Sequence, residues 1–180
     1  RLEKKIQEVA SLLVPLNDCL LLLPNVSVAE IVPVTQVLPV SDAPNWYLGD
    51  CVWRELKVPV LSFETLNGDP KGGTSSRARF AVLNSTGISD DLPFIAIVTQ
   101  GLPRLARVNE EEIREREGDK KPFELMYVSW AGEDAVIPDV SRMEQALLDY
   151  RAGADRSAHI NLIDLPGYPE FRGPALSARG

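Results

Sequence analysis

Residues 24–63 read PNVSVAEIVPVTQVLPVSDAPNWYLGDCVWRELKVPVLSF, and they decide the fold of the chain. Apolar residues in this stretch alternate with polar ones or form short runs, and Pro, Gly, Asn and Asp separate the runs. This pattern is typical of β-strands joined by turns. The predicted elements are a strand over 26–34, a loop over 37–44, a strand over 46–53, a short turn at Arg54 and Glu55, and a strand over 57–66.

Further short strands flank this stretch. Apolar runs over 12–16 and 19–23 are separated by Asn17-Asp18, a pair that favours a tight hairpin. The remaining predicted elements are strands over 78–83 and 94–99, a hairpin over 123–137, and a C-terminal helix that begins at a capping box from Ser141 to Glu144. Many short strands with one helix favour a mainly β fold of barrel type, because closing a sheet removes its exposed edges.

The two ends of the chain and two internal segments carry little β-signal. Residues 1–10 fit a short amphipathic helix or a frayed leader equally well. Residues 67–76 are rich in Gly and small polar residues and predict a flexible loop. Residues 108–121 are highly charged and predict a solvated helix or a mobile loop. Residues 151–180 predict an extended or disordered tail, which leaves 11–150 as the folded domain.

Composition restricts the partners. The chain has 19 Lys and Arg against 26 Asp and Glu, a net charge of -7, and this disfavours nucleic acid because such binding relies on a basic surface. The apolar run at 20–23 is too short to cross a bilayer, so we expect no direct membrane insertion. Cys19 and Cys51 are flanked by apolar residues and predict buried free thiols. The cytoplasm is therefore the default location.

Residues that carry chemistry are sparse. His159 is the one histidine, in a poorly patterned segment, and there is no Cys-x-x-Cys, so we predict no catalytic residue and no metal site. The glycines of 67–73 lack a nucleotide-binding pattern. Numerous carboxylates leave open a small carboxylate-dependent hydrolase, and the β-barrel pattern leaves open an OB-type nucleic-acid-binding barrel. These two alternatives stand beside the reading as a binding protein.

Two charged residues interrupt apolar strands. Glu30 lies within the strand over 26–34, and Arg54 follows Cys51-Val-Trp53. A charge near a core is costly unless it is paired, so we predict an ion pair between Glu30 and Arg54. The pair could serve only to fix strand register, or it could border a protein-docking surface where the Arg fork meets a partner. Trp46 and Trp53 could belong to the core or anchor that interface.

These residues resemble the pattern of CheW-like domains, the adaptors of bacterial chemosensory systems. The resemblance covers about 11–150 and is most specific over 12–63. The matching positions are Val28, Glu30 and Ile31 of a Val-x-Glu-Ile strand, Ala43-Pro44 and Trp46 of a Pro-rich loop, and Gly49, Arg54 and Pro59. The sequence departs from the family pattern where Glu55 replaces the Gly after the Arg, and where Ser62 and Thr99 each replace an Asp.

The resemblance implies a fold of two small five-stranded SH3-like β-barrel lobes that share a core. It implies a non-catalytic adaptor without a cofactor, which couples chemoreceptors to a CheA-type histidine kinase. The expected partners are the regulatory domain of the kinase and the cytoplasmic tip of the receptor. The residues expected at the contact are Val28, Glu30, Ile31, Trp53, Arg54 and Glu55. The departures suggest a specialised, ChpC-like paralogue from the systems that control type IV pilus twitching.

Overall fold

The computed structural model describes residues 8–69 and 75–163. Most of the predicted leader, the centre of the predicted loop at 67–76, and the last part of the predicted tail lie outside these residues. The side chain of His159 also lies outside the described part of the chain.

The described residues form eleven strands and two helices. The strands are β1 Glu8–Pro15, β2 Leu20–Pro24, β3 Val28–Pro33, β4 Tyr47–Trp53, β5 Leu56–Leu61, β6 Arg79–Asn84, β7 Phe94–Thr99, β8 Arg104–Asn109, β9 Arg114–Glu115, β10 Glu124–Trp130 and β11 Glu133–Pro138. The helices are α1 Phe63–Leu66 and α2 Val140–Ile163, and short 3-10 turns span Asn25–Ser27 and Glu110–Glu112.

The strands are arranged in two sheets. One has the order β8-β1-β2-β11-β10-β9, and the other has the order β3-β6-β7-β5-β4. We call the first the terminal lobe, because its strands come from both ends of the described chain, and the second the inserted lobe, because β3–β7 lie between β2 and β8. The predicted mainly β fold with two lobes and a C-terminal helix is confirmed. The terminal lobe has a sixth strand, the two-residue β9, beyond the five predicted.

Each lobe has its own apolar interior, and a third cluster joins the lobes. Strand β1 shows how: Leu13 packs inside the terminal lobe, and its neighbour Val14 packs in the shared cluster. In β6, Phe80 packs inside the inserted lobe and Ala81 packs in the shared cluster. Successive side chains on a strand point to opposite faces, so both faces of these strands are covered. Met143 and other residues of α2 complete the shared cluster, which confirms the predicted shared core.

Local chemistry explains several connections. The predicted hairpin at Asn17-Asp18 is confirmed, and Leu16 N donates to Cys19 O across it at 2.8 Å. Gly49 has a φ of 134°, and a Cβ there would lie 2.3 Å from Leu38 O, so only glycine lets residue 38 bridge to β4. Both thiols are free, as predicted, but only Cys51 is buried, whereas Cys19 is half-buried. Burial, with nearby carboxylates, raises the pKa of Cys19 to about 11, and burial also raises the pKa of Cys51.

Three local predictions were wrong. Residues 8–10 extend β1 rather than a helix, because Val9 pairs with Val108 of β8. The predicted strand over 57–66 ends at Leu61, and Ser62 then caps α1 by accepting a hydrogen bond from Thr65 N at 3.2 Å. The charged residues of 108–121 form the end of β8, a 3-10 turn and β9 rather than one helix or loop.

The start and end of α2 also differ from the prediction. Asp139 rather than Ser141 caps the helix, since its Oδ1 accepts from Arg142 N at 3.1 Å. Glu144, the expected partner in the capping box, is fully buried and accepts hydrogen bonds from the backbone N and the hydroxyl of Thr86. The helix continues to Ile163, so 151–163 are helical rather than extended.

Candidate protein-docking site

Strands β3 and β4 are the two outer strands of the inserted sheet, and side chains from both meet at the end of β4. Trp53 Nε1 donates a hydrogen bond of 2.9 Å to Glu30 Oε1. Arg54 Nη2 donates to the same oxygen at 3.1 Å, which confirms the predicted ion pair. The arrangement links the two edge strands across the open side of the sheet. We call Glu30, Trp53 and Arg54 the Trp–Glu–Arg cluster.

The ion pair lies at the surface rather than near the core. The side chain of Arg54 is 66% exposed and that of Glu30 is 43% exposed. An exposed pair of this kind contributes at most about 1 kcal/mol to stability. Trp53 is buried in the inserted lobe, so its N–H needs the acceptor that Glu30 provides. Glu30 therefore satisfies a buried donor as well as pairing with a cation.

The guanidinium of Arg54 also stacks on the tryptophan. Its Cζ lies 4.6 Å from the ring centroid of Trp53, within the range of a cation–π interaction. One contact to Glu30 and one to the ring hold the planar group in place while most of its side chain stays open to solvent. A fixed fork of donors loses less rotamer entropy when a carboxylate or carbonyl approaches it. The cluster thus presents a pre-organised cation.

The turn that carries Arg54 has unusual backbone angles. Trp53 pairs with Leu56, so the loop has two residues, Arg54 with a φ of 49° and Glu55 with a φ of 65°. Positive φ at both positions is the requirement of a type I′ turn, which Asn-Gly usually meets. Glu55 is exposed, and exposed apolar side chains stand on either side of the turn, with Val52 64% and Leu56 43% accessible.

The structure brings four of the six predicted contact residues together and places the other two differently. Glu30, Trp53, Arg54 and Glu55 lie at one end of the inserted lobe. Val28 and Ile31 are half-buried on β3 and pack against the shared cluster. The strand has a register shift between Val28 and Glu30, and Val28 and Ile31 pack against the shared cluster while Ala29 and Val32 pack inside the inserted lobe. Trp46 is half-buried and packs against the shared cluster.

The three departures from the family pattern have different settings. Ser62 caps α1, a position where Ser and Asp are interchangeable. Thr99 is fully buried, and its hydroxyl donates to Gly101 O at 2.7 Å. Both substitutions are accommodated by hydrogen bonds inside the fold. Glu55 alone of the three points from an exposed turn.

Sequence reasoning missed two features that bear on the site. Val52 and Leu56 lie before and after the turn and expose apolar surface, and the signal that could have identified Val52 is its position between Cys51 and Trp53, which places it on the opposite face of the predicted strand. Glu64 of α1 is buried and accepts from Asn17 N at 2.7 Å, which joins the two lobes. Burial raises the pKa of Glu64, and hydrogen bonds from Asn17 and Gln100 offset part of that rise.

The remaining features of the described residues give little support for a catalytic or metal-binding site. A groove of about 580 Å³ runs beside α2, lined by Ile88, Phe123, Asp139, Ser141, Arg142, Gln145, Ala146 and Asp149. Within 8–69 and 75–163, no group of three or more His, Cys, Asp or Glu side chains is placed to hold a metal ion. No helix formed by the described residues has the length and apolar character needed to span a membrane.

Comparison with known proteins agrees with this architecture. The structure is similar to the crystal structure of scaffolding protein TtCheW from Thermoanaerobacter tengcongensis, with a TM-score of 0.64 and 15% sequence identity over 77% of this chain and 88% of that chain. No curated protein sequence matches the chain. The family model of the CheW-like domain matches residues 10–147. The chain therefore belongs to the CheW-like domain family.

Proposed function

We propose that this protein is a non-catalytic chemosensory adaptor that couples chemoreceptors to a CheA-type histidine kinase in the cytoplasm. The observation that carries the proposal is the Trp–Glu–Arg cluster, in which a buried indole and a carboxylate hold an exposed guanidinium on a hairpin of a CheW-like scaffold. Arg and Trp are the residue types most enriched where binding energy concentrates. Membership of a scaffold family supports the proposal.

The mechanism that follows is physical rather than chemical. An adaptor that holds a receptor tip and a kinase regulatory domain at once raises their effective concentration, so weak contacts suffice to form the assembly. The Trp–Glu–Arg cluster provides one rigid contact for a partner. Val28 and Ile31 lie on the same strand as Glu30, pack against the shared cluster and leave part of their surface accessible, and we include them in the proposed contact. Glu55 lies beside Arg54 and is part of the same proposed contact.

The test compares two matched arginine variants. In Arg54→Ala, binding of the purified protein to the regulatory domain of a CheA-type kinase, or to a receptor-tip fragment, should weaken by about tenfold. The control is Arg104→Ala, because Arg104 forms an exposed ion pair of 2.8 Å with Glu133 in the terminal lobe. Both variants should unfold within about 4 °C of the wild-type temperature, because each loses an exposed ion pair. Equal binding of the two variants to both fragments would exclude Arg54 as a contact.

We also propose that the chain serves a pilus-linked system, as a ChpC-like paralogue. The support is the set of departures at Glu55, Ser62 and Thr99, of which Glu55 changes the charge of the exposed turn. The test presents the protein with equal concentrations of two kinase regulatory domains, one from a flagellar chemotaxis system and one from a twitching-motility system. Preferential binding to the second supports the assignment, and preferential binding to the first contradicts it.

A further inference from the structure

We infer that Glu55 is a specificity residue that selects a partner surface in which an apolar patch is bordered by a lysine or arginine. The inference rests on the proposed function as an adaptor and deepens it, because it states the chemistry of the surface that meets the β4–β5 turn.

The backbone at Glu55 is the first argument. Its φ of 65° lies in the left-handed region, where a Cβ is unfavourable and glycine is the usual residue. Among the described residues of the inserted lobe, no apolar cluster includes Glu55, and its side chain is exposed. Non-glycine residues in such conformations concentrate at functional sites, where the side chain has a use that offsets the strain.

The charge at Glu55 is the second argument. Arg54, its neighbour, already pairs with Glu30, and the carboxylate of Glu55 forms no ion pair with any residue of the described part of the chain. The turn therefore presents one paired cation and one unpaired anion. A single unpaired charge on an otherwise pre-organised surface favours a partner that offers the opposite charge, and it disfavours partners that place an acid there.

The surroundings of the charge are the third argument. Val52 and Leu56 lie next to the turn residues and are 64% and 43% exposed, and the register, in which Trp53 pairs with Leu56 and Val52 pairs with Lys57, places them on opposite faces of the hairpin. A partner that covers Leu56, which follows Glu55 directly in the sequence, removes water from around Glu55, and an electrostatic interaction strengthens when water leaves. The same desolvation penalises a partner without a cation, because the carboxylate would then be buried without a counter-ion. Apolar contact and charge selection are thus coupled at one turn.

The experiment separates strain from charge with three variants. Glu55→Gln keeps the side-chain shape and removes the charge, Glu55→Lys reverses the charge, and Glu55→Gly removes the strain and the charge together. The control is Ala131→Gly, because Ala131 has a φ of 52° in the corresponding turn of the terminal lobe. The probes are a kinase regulatory domain and a receptor-tip fragment, with affinity measured at low and high salt.

If Glu55 selects a basic partner, Glu55→Gln should weaken binding to one probe by about fivefold and Glu55→Lys by more than about tenfold, with a smaller salt dependence. Glu55→Gly should also weaken binding while raising the unfolding temperature by about 2 °C. Ala131→Gly should raise that temperature without changing affinity. Wild-type affinity in Glu55→Gln and Glu55→Lys overturns the inference alone, whereas a wild-type protein that binds neither probe overturns the proposed function as well.

Discussion

The two lobes carry the same turn at comparable hairpins, and the turns differ in what they display. In the inserted lobe the sequence is Trp53-Arg-Glu-Leu56, and in the terminal lobe it is Trp130-Ala-Gly-Glu133. Both loops have two residues, and all four loop residues have positive φ. The terminal lobe meets this geometry with Ala and Gly, whereas the inserted lobe uses two charged side chains.

The comparison shows what the turn geometry needs and what it does not. Ala-Gly forms the turn, so the structure does not depend on Arg and Glu for the reversal of the chain. The tryptophans before the two turns also differ in burial. Trp53 is buried and donates a hydrogen bond to Glu30, while Trp130 is half-buried. The inserted lobe therefore carries a reinforced turn with an exposed charged end, which is the property expected of a contact surface rather than of a connection.

The largest difference between the hairpins should appear when each tryptophan is removed. Trp53→Ala should lower the free energy of unfolding by about 3–5 kcal/mol, because it leaves a cavity in the inserted lobe and removes the indole, one of the two donors to Glu30. Trp130→Ala should lose about half as much, since part of that ring already faces solvent. Urea unfolding measures both. Equal losses would show that the two hairpins are anchored alike.

Exchanging one turn residue should change the free energy of unfolding by a smaller amount. The change should be a loss in the terminal lobe and a gain in the inserted lobe. Gly132→Glu should destabilise the protein by about 1–2 kcal/mol, because Gly132 has a φ of 78°. A Cβ there meets nothing within 4 Å, so the loss reports backbone strain alone. Glu55→Gly should stabilise by less than about 1 kcal/mol, since the added freedom of the unfolded chain offsets part of the relief. Destabilisation by Glu55→Gly would mean that its side chain supports the fold.

Neutralising the acid of each ion pair should change stability least among the hairpin variants. Glu30→Gln and Glu133→Gln should each cost below about 1 kcal/mol, because both pairs are exposed and Gln can still accept a hydrogen bond. Glu30→Gln should cost slightly more, as Trp53 then donates to a neutral acceptor. The difference should shrink in high salt. A loss of several kcal/mol at Glu30 would place the pair in a structural role instead.

Unfolding at a series of pH values tests whether the two lobes unfold as one unit. The comparison of their hairpins by stability depends on such cooperative unfolding. Glu64 joins the lobes through its hydrogen bond with Asn17. Burial raises the pKa of Glu64 above its ordinary value of 4.5, and the nearby charges of Asp69 and Asp18 raise it further, while hydrogen bonds to the carboxylate lower it in part. The folded state therefore holds the Glu64 proton more tightly than the unfolded state does. Its contribution to stability is fully present below the unfolded pKa and is lost as pH rises through the folded pKa.

Glu64→Gln removes that dependence, so its free energy of unfolding relative to wild type should increase as pH rises from about 4 to about 7. Tryptophan fluorescence and far-ultraviolet circular dichroism should report one transition for both lobes at each pH. A wild-type curve parallel to that of Glu64→Gln would show that Glu64 titrates normally. Two separate transitions would show that the lobes unfold independently.

The fold was largely predictable from sequence because its signals are local. Tight polar turns between short apolar runs mark a hairpin wherever they occur, and the Asn17-Asp18 turn is one example. The leader was not predictable in the same way. Val9, Ala10 and Leu13 fit a helical face, and what decides for a strand is the pairing of Val9 with Val108, ninety-nine positions away in sequence. Local periodicity holds no information about that partner.

The site was predictable in its pairing but not in its setting. A charge in each of two apolar strands predicted that Glu30 and Arg54 would meet. It did not indicate that they meet at the surface, because β3 and β4 are edge strands only as a result of the order in which the strands pair. The predicted capping box from Ser141 to Glu144 was wrong for a related reason. The spacing of Glu144 from Ser141 fits a capping box, yet its partner Thr86 comes from a loop that only the folded sheet brings near.

The insertion of β3–β7 between β2 and β8 has a consequence for synthesis. All five strands of the inserted lobe lie in one continuous stretch, so this lobe can complete its pairing as soon as β7 has left the ribosome. The terminal lobe cannot, because β1 and β2 must wait for β8 to β11. During that interval the leucines of β2 have only one neighbouring strand. Strands β1 and β2, which precede the inserted lobe in the sequence, thus gain their remaining neighbours only after the inserted lobe has been made.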